Sequence, residues 1–216
     1  MALNKSELPP KRKSQTWGLL ALCLAFVAGL GAAEPRTLVF FGDSLTAGYG
    51  LDPDDAFPAV IQRKIDAAGL AWRVVNAGLS GETTAGGLRR LDWILRQHVD
   101  LFVLELGGND GLRGIALDSS RANLQAIIDR IRTRYPAVVI VLAGMRLPTN
   151  MGPEYIHQFE RMFPDLAEKN HLALIPFLLE GVGGIPTLNQ ADGIHPTVEG
   201  DAKVAETVWK VLLPLL

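Results

Sequence analysis

The sequence predicts an α/β protein of three layers, in which helices cover both faces of a central, mostly parallel sheet of five strands. Two observations support this fold class. Five short apolar runs rich in branched residues recur along the chain, and segments with helical periodicity lie between them. Strands that alternate with helices in this way are expected to pair in parallel, with crossover helices on both faces of the sheet.

The predicted elements follow one another without a repeat, a low-complexity tract or a linker. The predicted strands cover Thr37–Phe41, Arg73–Asn76, Leu101–Leu106, Val138–Leu142 and Leu172–Pro176. The predicted helices cover Ala56–Ala68, Leu88–Leu95, Leu124–Ile131 and Thr197–Leu213, and the last of them follows Pro196. In the first helix, Phe57, Val60, Ile61 and Ile65 fall on one face, as a buried helix face requires.

Composition indicates one domain over residues 34–216. The chain has 216 residues, of which 48% are hydrophobic, and this is enough apolar material for a full core. Its formal net charge is −2, and the body of the chain has no long run of lysine or arginine. A nucleic-acid partner is therefore not expected.

Residues 1–33 have the three-part pattern of a secretory signal peptide. Lys11, Arg12 and Lys13 precede an uncharged apolar run over Trp17–Leu30, and small residues end at Ala33. The run is shorter than the roughly 20 residues that a membrane-spanning helix needs. We therefore expect cleavage after Ala33, a periplasmic or secreted product and no stable membrane insertion, with an uncleaved anchor as the alternative.

Removal of this segment changes the chemistry that the chain can perform. It takes away four basic groups and one acidic group, so the formal net charge changes from −2 to −5. It also removes Cys23, the only cysteine, and Leu22 before it does not fit a lipid-modified cysteine. Disulfides, thiolate metal sites and cysteine nucleophiles are thus excluded from the expected mature protein.

Polar and glycine-rich segments follow several of the predicted strands. In open parallel sheets, ligands bind beyond the carboxyl ends of the strands, so these loops are where a site is expected. The candidate loops are Gly42–Thr46, Gly78–Thr84, Gly107–Gly114 and, before the last helix, Ala191–Pro196.

Ser44, directly after the first strand, fits three roles: a helix cap, part of a phosphate cradle, or a nucleophile. Its surroundings do not match the G-x-S-x-G elbow of α/β-hydrolases, since Thr46 stands where the second glycine belongs. A dinucleotide site is also excluded, because the segment "GYGLDP" has Pro53 at the position of the third glycine.

The segment "ADGIHP" provides an acid and a base at a useful spacing. Asp192 lies three residues before His195, and Gly193 allows the chain to turn so that the carboxylate faces the imidazole. The alternative is a structural pair that ties the last helix to a loop. A metal site would lack third and fourth ligands at a sensible spacing, so no metal is expected. The remaining histidines are assigned to the surface or to packing: His98, His157 and His171.

Two further loops contain donors that a serine hydrolase needs for the oxyanion that forms at an attacked carbonyl. Asn109 carries two amide N–H groups and follows Gly107 and Gly108, which let a substrate approach closely. Gly81 has a backbone N–H with no side chain in its way. Ordinary turns are the alternative for each loop alone.

Four sequence blocks in this order carry a resemblance to a known family: "FGDSLTAGYG", "NAGLSGETT", "ELGGNDGLRG" and "DGIHP". The chain resembles the SGNH (GDSL-type) hydrolases, and within them the thioesterase I, lysophospholipase L1 and arylesterase branch. The resemblance covers essentially all of residues 34–216 and implies the flavodoxin-like SGNH hydrolase fold.

The resemblance also implies a catalytic site. Ser44 is then the nucleophile, and Asp192 and His195 complete the triad. The oxyanion hole consists of the Ser44 N–H, the Gly81 N–H and the Asn109 side chain, whereas Asp43 is assigned to loop hydrogen bonding. The expected enzyme is a monomer without a cofactor that hydrolyses carboxylic esters and acyl thioesters through an acyl-enzyme: aryl esters, acyl-CoA-type thioesters and lysophospholipids.

Apolar residues in two loops are the candidates for an acyl-binding groove. They follow Asn109 and the fourth strand: Leu112, Ile115, Leu117, Met145, Leu147, Pro148 and Met151. The alternative is ordinary packing beneath the loops. The resemblance implies that the first loop moves over acyl chains, with Gly111 and Gly114 as hinges. No residues remain for a lid domain, so we expect an open cleft that discriminates poorly among leaving groups.

Two other functions stay open at the level of the sequence. One is a flavodoxin-like ligand-binding module that uses Ser44–Gly48 as an anion cradle. The other is a carbohydrate acetyl-esterase with the same fold and triad.

Overall fold

Five parallel strands form the central sheet of this protein. The computed structural model describes Met1 and residues 34–216, so the predicted signal peptide lies outside the described residues apart from Met1. The strands are β1 (Arg36–Gly42), β2 (Trp72–Gly78), β3 (Leu101–Glu105), β4 (Val139–Ala143) and β5 (Ala173–Ile175). All five predicted strands are confirmed, with ends that shift by at most two residues.

The order of the strands across the sheet is β2-β1-β3-β4-β5, and every pair is parallel. From β1 the chain runs outward to β2 and then returns to the other side of β1 to form β3. The strand order therefore reverses at β1, and the crevice beyond the carboxyl ends of β1 and β3 is where such a sheet binds a ligand.

The central strand β1 has both faces in the core, which explains its unbroken apolar sequence. Phe40 contacts Phe57 on one face, with ring centroids 5.3 Å apart in an edge-on arrangement. The next residue along the strand, Phe41, points to the opposite face and contacts Phe102 at 5.4 Å. These four side chains are almost fully buried.

Seven α-helices are present in residues 34–216. They are α1 (Ser44–Ala47), α2 (Phe57–Ala67), α3 (Thr84–Ile94), α4 (Gly108–Leu112), α5 (Leu117–Arg134), α6 (Pro153–Asn170) and α7 (Val198–Leu212). Three short 3₁₀ turns cover Thr149–Met151, Pro186–Leu188 and Leu213–Leu215. On one face of the sheet α2 packs against α7, and α3, α5 and α6 pack together in series, which gives the predicted three layers.

The predicted helices differ most from the observed ones at α6, which was missed, and at α5 and α3, which begin before their predicted starts. Helix α6 was not predicted, because Pro164 interrupts its sequence, although its apolar residues recur with helical spacing from Phe159 to Ala167. Helix α3 begins four residues before the predicted start. The Thr83 hydroxyl caps it by accepting the Gly86 N–H, and glycine at Gly87 is needed because a Cβ there would lie 2.4 Å from Leu106.

None of the helices in the described part of the chain is both long enough and apolar enough to cross a membrane.

A buried carboxyl group joins α2 to α7. Asp201 is 1% exposed, and its Oδ2 atom accepts the N–H of Phe57 at 3.0 Å. Burial raises the pKa of Asp201 from 3.8 to about 7, although the hydrogen bond from Phe57 opposes this shift. The folded protein therefore holds a proton on Asp201 in a pH range where the unfolded chain has lost it.

We predict that this proton makes the free energy of unfolding depend on pH. Between pH 4 and 7 the folded state binds more protons than the unfolded state, so stability falls as the pH rises, by on the order of 4 kcal/mol at most. Asp201→Asn keeps an oxygen acceptor for Phe57 and removes the titration. Urea unfolding at several pH values should show a flatter profile for Asp201→Asn, and identical profiles would contradict the prediction.

Candidate active site

Ser44 is placed by a tight turn at the end of β1. Asp43 caps α1 by accepting the Leu45 N–H on Oδ1 at 3.1 Å, and Ser44 is the first residue of this short helix. The preceding Gly42 has no space for a side chain, since a Cβ would lie 2.2 Å from Thr46 Oγ1 and 2.3 Å from Glu105 Oε2. The turn therefore rests directly against β3 and projects the Ser44 hydroxyl beyond the sheet.

Ser44, His195 and Asp192 lie in a hydrogen-bonded line. His195 Nε2 is 2.8 Å from Ser44 Oγ, and His195 Nδ1 is 2.6 Å from Asp192 Oδ2. With Asp192 ionised, Nδ1 carries the proton and Nε2 accepts from the serine hydroxyl, a tautomer that we assign from the hydrogen bonds. The fold thus brings together the three residues that were proposed from the sequence as a triad, although Ser44 and His195 are 151 positions apart in the chain.

Asp192 is held in its ionised form. Its Oδ1 atom accepts the backbone N–H groups of Ile194 at 2.9 Å and of His195 at 3.0 Å, while Oδ2 faces the imidazole. Partial burial opposes ionisation, but these hydrogen bonds and the charge of His195 outweigh it and lower the pKa of Asp192 to about 2. The acid can therefore orient the imidazole over the whole neutral range.

The loop that carries His195 is fastened by two residues that the sequence analysis missed. The Gln190 N–H donates to the His195 carbonyl at 2.7 Å, and Gln190 Nε2 donates to the carbonyl groups of Tyr49 at 2.7 Å and Pro196 at 2.9 Å. The Tyr49 ring lies 4.5 Å from the His195 ring, centroid to centroid. Nothing in the local sequence pairs position 49 with position 195, so only the fold identifies these contacts.

Asn109 and Gly81 both reach the cavity beside Ser44. Asn109 lies in the first turn of α4, and its Nδ2 atom donates to Asp43 Oδ2 at 3.0 Å, which leaves its second amide proton free of that bond. Gly81 lies in the turn that follows β2, with φ of 77°, a backbone conformation that favours glycine. The two donors proposed from the sequence thus line the same cavity as Ser44 and His195.

Asp43 and Glu105 form a buried acidic pair beneath the turn. Glu105 Oε2 accepts the Asp43 N–H at 3.1 Å and the Thr46 hydroxyl at 2.8 Å. Burial raises the pKa of Asp43 to about 6, and burial next to Asp43 raises the pKa of Glu105 well above its usual range. Both carboxyl groups therefore bind a proton more readily than they would in water, and Asp43 is the one that accepts the hydrogen bond from Asn109.

This arrangement extends the role expected for Asp43, which was loop hydrogen bonding alone. The carboxylate joins the turn of the serine to the side chain of Asn109. Glu105 was missed, although a single acidic residue inside the apolar run "LFVLEL" was a visible signal. An anion cradle at Ser44–Gly48 is not supported, because the Asp43 side chain itself occupies the N-terminus of α1.

A cavity of about 750 Å³ opens at these residues. Four of the predicted groove residues line it: Leu112, Met145, Leu147 and Pro148. Further apolar lining was not predicted and comes from α1, the loop of Tyr49, the segment after β5 and the turn before His195: Leu45, Tyr49, Phe177, Leu179 and Ile194. Arg146 also lines it, with its guanidinium group 4.6 Å from the centre of the Phe177 ring.

Three of the proposed groove residues, Ile115, Met151 and Leu117, do not line this cavity. Ile115 lies beyond the cavity, and its carbonyl accepts the Tyr155 hydroxyl at 2.8 Å. Met151 ends a 3₁₀ turn and packs against the core, and Leu117 is buried at the start of α5. The chain leaves the cavity within a few residues of Leu112 and Pro148, so these three side chains stabilise the loops instead.

The three remaining histidines are exposed and do not line this cavity. His98 pairs with Asp100 at 3.2 Å, and His171 ends α6 in a left-handed conformation. Among residues 34–216, no three acidic, histidine or cysteine side chains are grouped as metal ligands would be.

Comparisons with known proteins show what this chain is similar to. Residues 40–203 match the model of the GDSL-like Lipase/Acylhydrolase family. The chain is 43% identical to Esterase TesA of Pseudomonas aeruginosa over 199 residues, which cover 92% of this chain and 98% of that protein. It is 37% identical to Thioesterase 1/protease 1/lysophospholipase L1 of Escherichia coli K12 over 205 residues, which cover 93% and 94% of the two chains.

The fold agrees with a solved structure as well. The crystal structure of a TesA protein superposes with a TM-score of 0.80 at 43% sequence identity, and the match covers 84% of this chain and all of that one.

Proposed function

Since the chain belongs to the GDSL-like lipase/acylhydrolase family and is an ester- and thioester-hydrolysing enzyme of the SGNH type, we propose that it works through an acyl-enzyme on Ser44. The single observation that carries this proposal is the continuous contact from Asp192 through His195 to the Ser44 hydroxyl. A serine, a histidine and an ionised acid in this order are the parts of a triad, whatever the fold that holds them.

In the proposed mechanism, Ser44 Oγ attacks the acyl carbonyl carbon while His195 Nε2 takes the hydroxyl proton. Asp192 holds the imidazole in the right tautomer and stabilises its charged form. The protonated His195 then gives its proton to the leaving alcohol or thiol. Water, deprotonated by His195, hydrolyses the acyl-enzyme by the same steps in reverse order. All reacting groups other than substrate and water come from the chain itself.

The oxyanion of each tetrahedral intermediate is proposed to lie among three donors. They are the backbone N–H groups of Ser44 and Gly81 and the free amide proton of Asn109. Donors fixed in position before the reaction stabilise the developing charge without any cost of reorganisation in the transition state. Asp43 supports this arrangement, because its hydrogen bond to Nδ2 determines which way the Asn109 amide faces.

The substrate class is proposed from the lining of the cavity. Its apolar residues favour an acyl chain, and their number is large compared with the charged side chains present. Leu112, Tyr49 and Ile194 are each more than a third exposed at its rim. A site this open makes few contacts with the leaving group, so aryl esters, acyl thioesters and lysophospholipids are all proposed as substrates.

We predict that the triad residues act as one unit. Ser44→Ala and His195→Ala should each lower kcat for p-nitrophenyl butyrate by about 10⁴-fold or more, and the double variant should be hardly slower than either one. Ser119→Ala and His157→Ala are matched controls on exposed helix positions and should retain full activity. A Ser44→Ala variant that hydrolyses the ester at a normal rate would refute the proposed nucleophile.

We predict that activity increases with acyl chain length. For p-nitrophenyl esters from acetyl to dodecanoyl, kcat/KM should rise by up to about fourfold per methylene, corresponding to about 0.8 kcal/mol, until the cavity is filled. Leu112→Ala should reduce this rise, whereas Leu213→Ala, which alters a similarly exposed leucine outside the cavity, should not. Activity confined to acetyl groups on sugars would instead favour a carbohydrate acetyl-esterase.

We also propose that the enzyme is exported as a monomer that begins near Glu34. The charged, apolar and small-residue segments of residues 1–33 support this proposal. Mass spectrometry of the protein from a periplasmic or culture fraction is expected to give a chain that lacks these residues. An intact N-terminus in the inner-membrane fraction would show that the segment acts as an anchor.

A further inference from the structure

One exposed arginine connects the two loops that supply the oxyanion donors. Arg113 follows α4, and its Nη2 atom donates to the Gly81 carbonyl at 2.9 Å and to Asn109 Oδ1 at 3.3 Å. Gly81 follows β2 and Asn109 follows β3, and these strands are not neighbours, because β1 lies between them. A single guanidinium nitrogen therefore joins loops from the two sides of β1.

The hydrogen bond from Arg113 restrains Gly81, whose position is otherwise fixed by few contacts. Gly81 is exposed, and the side chain after it, Glu82, is fastened away from the cavity by an ion pair with Arg90. Within residues 34–216, Arg113 makes the only side-chain hydrogen bond to the Gly81 backbone. Without it, the N–H of Gly81 would depend on the geometry of the turn alone.

The contact to Asn109 adds a second restraint on the orientation of the side-chain amide. A terminal amide can rotate by half a turn at little cost, which exchanges its oxygen and its nitrogen. Here Asp43 accepts from Nδ2 on one side and Arg113 donates to Oδ1 on the other. Donation to the oxygen of an amide also polarises the group, so its free N–H becomes a stronger donor.

Arg113 has no partner that would explain it as part of a surface ion pair. No carboxylate in the described part of the chain lies within salt-bridge distance of it, whereas several other arginines have such a partner. Its hydrogen bonds instead go to the two oxyanion loops. The ionisable group that contacts this network is Asp43, through Asn109 Nδ2.

We propose that Arg113 is a positioning residue of the oxyanion hole, which fixes the Gly81 N–H and the Asn109 amide with respect to each other. The inference rests on the proposed function, in which these groups stabilise the oxyanion. Arg113 does not touch the reacting atoms, so it acts on the transition state more than on substrate binding.

Arg113→Met tests this proposal because it keeps the length of the side chain and removes the donors. We expect kcat for p-nitrophenyl butyrate to fall about 10- to 100-fold with KM within about twofold, and inactivation by an aryl phosphonate ester to slow in parallel. Arg113→Lys keeps the positive charge but lacks the planar guanidinium group with its several N–H donors, so it should also lose most of the kcat. A fully active lysine variant would overturn the bridging role.

Arg130→Met is the matched control. Arg130 is also exposed, and it likewise donates to a backbone carbonyl, that of Leu88, and to a side-chain oxygen, that of Asp92, but it lies outside the cavity. This variant should keep full kcat. Melting temperatures of both methionine variants close to that of the native enzyme would exclude unfolding as the cause of lost activity.

A double-mutant cycle with Asn109→Ala separates positioning from an independent effect. Asn109→Ala alone is expected to lower kcat about 10²- to 10³-fold. In that background Arg113→Met should cost clearly less than it does in the native enzyme, because one of its two targets is gone. Equal costs in both backgrounds, or a normal kcat for Arg113→Met, would overturn the inference.

The activity of Ser44→Ala, measured in the same assay, separates a failure of the proposed function from a failure of the proposed role of Arg113. If Ser44→Ala is active, the proposed function itself is wrong. If Ser44→Ala is inactive and Arg113→Met is normal, only the role of Arg113 is wrong.

Discussion

The parallel register between β1 and its two neighbours is the constraint on which the rest of this site depends. It pairs Gly42 with Glu105 of β3 on one side and with Gly78 of β2 on the other, so three loops leave the sheet side by side. The absence of a side chain at Gly42 lets the turn of Ser44 lie directly against Glu105. A slip of one residue in this register would exchange the two faces of β1 and separate these groups.

The buried acids beneath the turn show how a hydrophobic sheet supports a polar site. Glu105 is completely buried, and burial next to Asp43 raises the pKa of its carboxyl group because the charged form is penalised there. It accepts hydrogen bonds from the turn, which leaves Asp43 free to receive Asn109. The polar chain from Glu105 through Asp43 to Asn109 therefore connects the centre of the sheet to the cavity. Each of its members is fixed before a substrate arrives.

The catalytic base reaches the serine from the far end of the chain and is held by a separate set of contacts. The segment of His195 precedes α7, which packs against α2, and Gln190 ties that segment to Tyr49 near the end of the serine block. Much of the apolar lining of the cavity comes from the loops after β3, β4 and β5, and Tyr49 and Ile194 complete it. The proposed oxyanion donors thus lie on the side of β2 and β3. Much of the apolar lining, which is proposed to bind the acyl chain, lies on the side of β4 and β5.

The sequence by itself determined the fold class, the five strands, the ends of α2 and α7 and the residues proposed for the triad and the oxyanion hole. These features are local, since a buried parallel strand must be apolar on both faces and the functional residues follow strands in short, recognisable blocks. Helix α6 has the apolar spacing of a helix in its sequence, which Pro164 obscures. The roles of Glu105, Gln190 and Tyr49 and the lining of the cavity were decided only by the tertiary structure. Each of these depends on which distant segments meet, and Ile115 and Met151 illustrate the point: both are apolar and lie near lining residues in sequence, yet the direction of the backbone takes them away from the cavity. Adjacency in sequence places a side chain within a few ångströms of a site, and packing against the rest of the chain decides whether it faces that site.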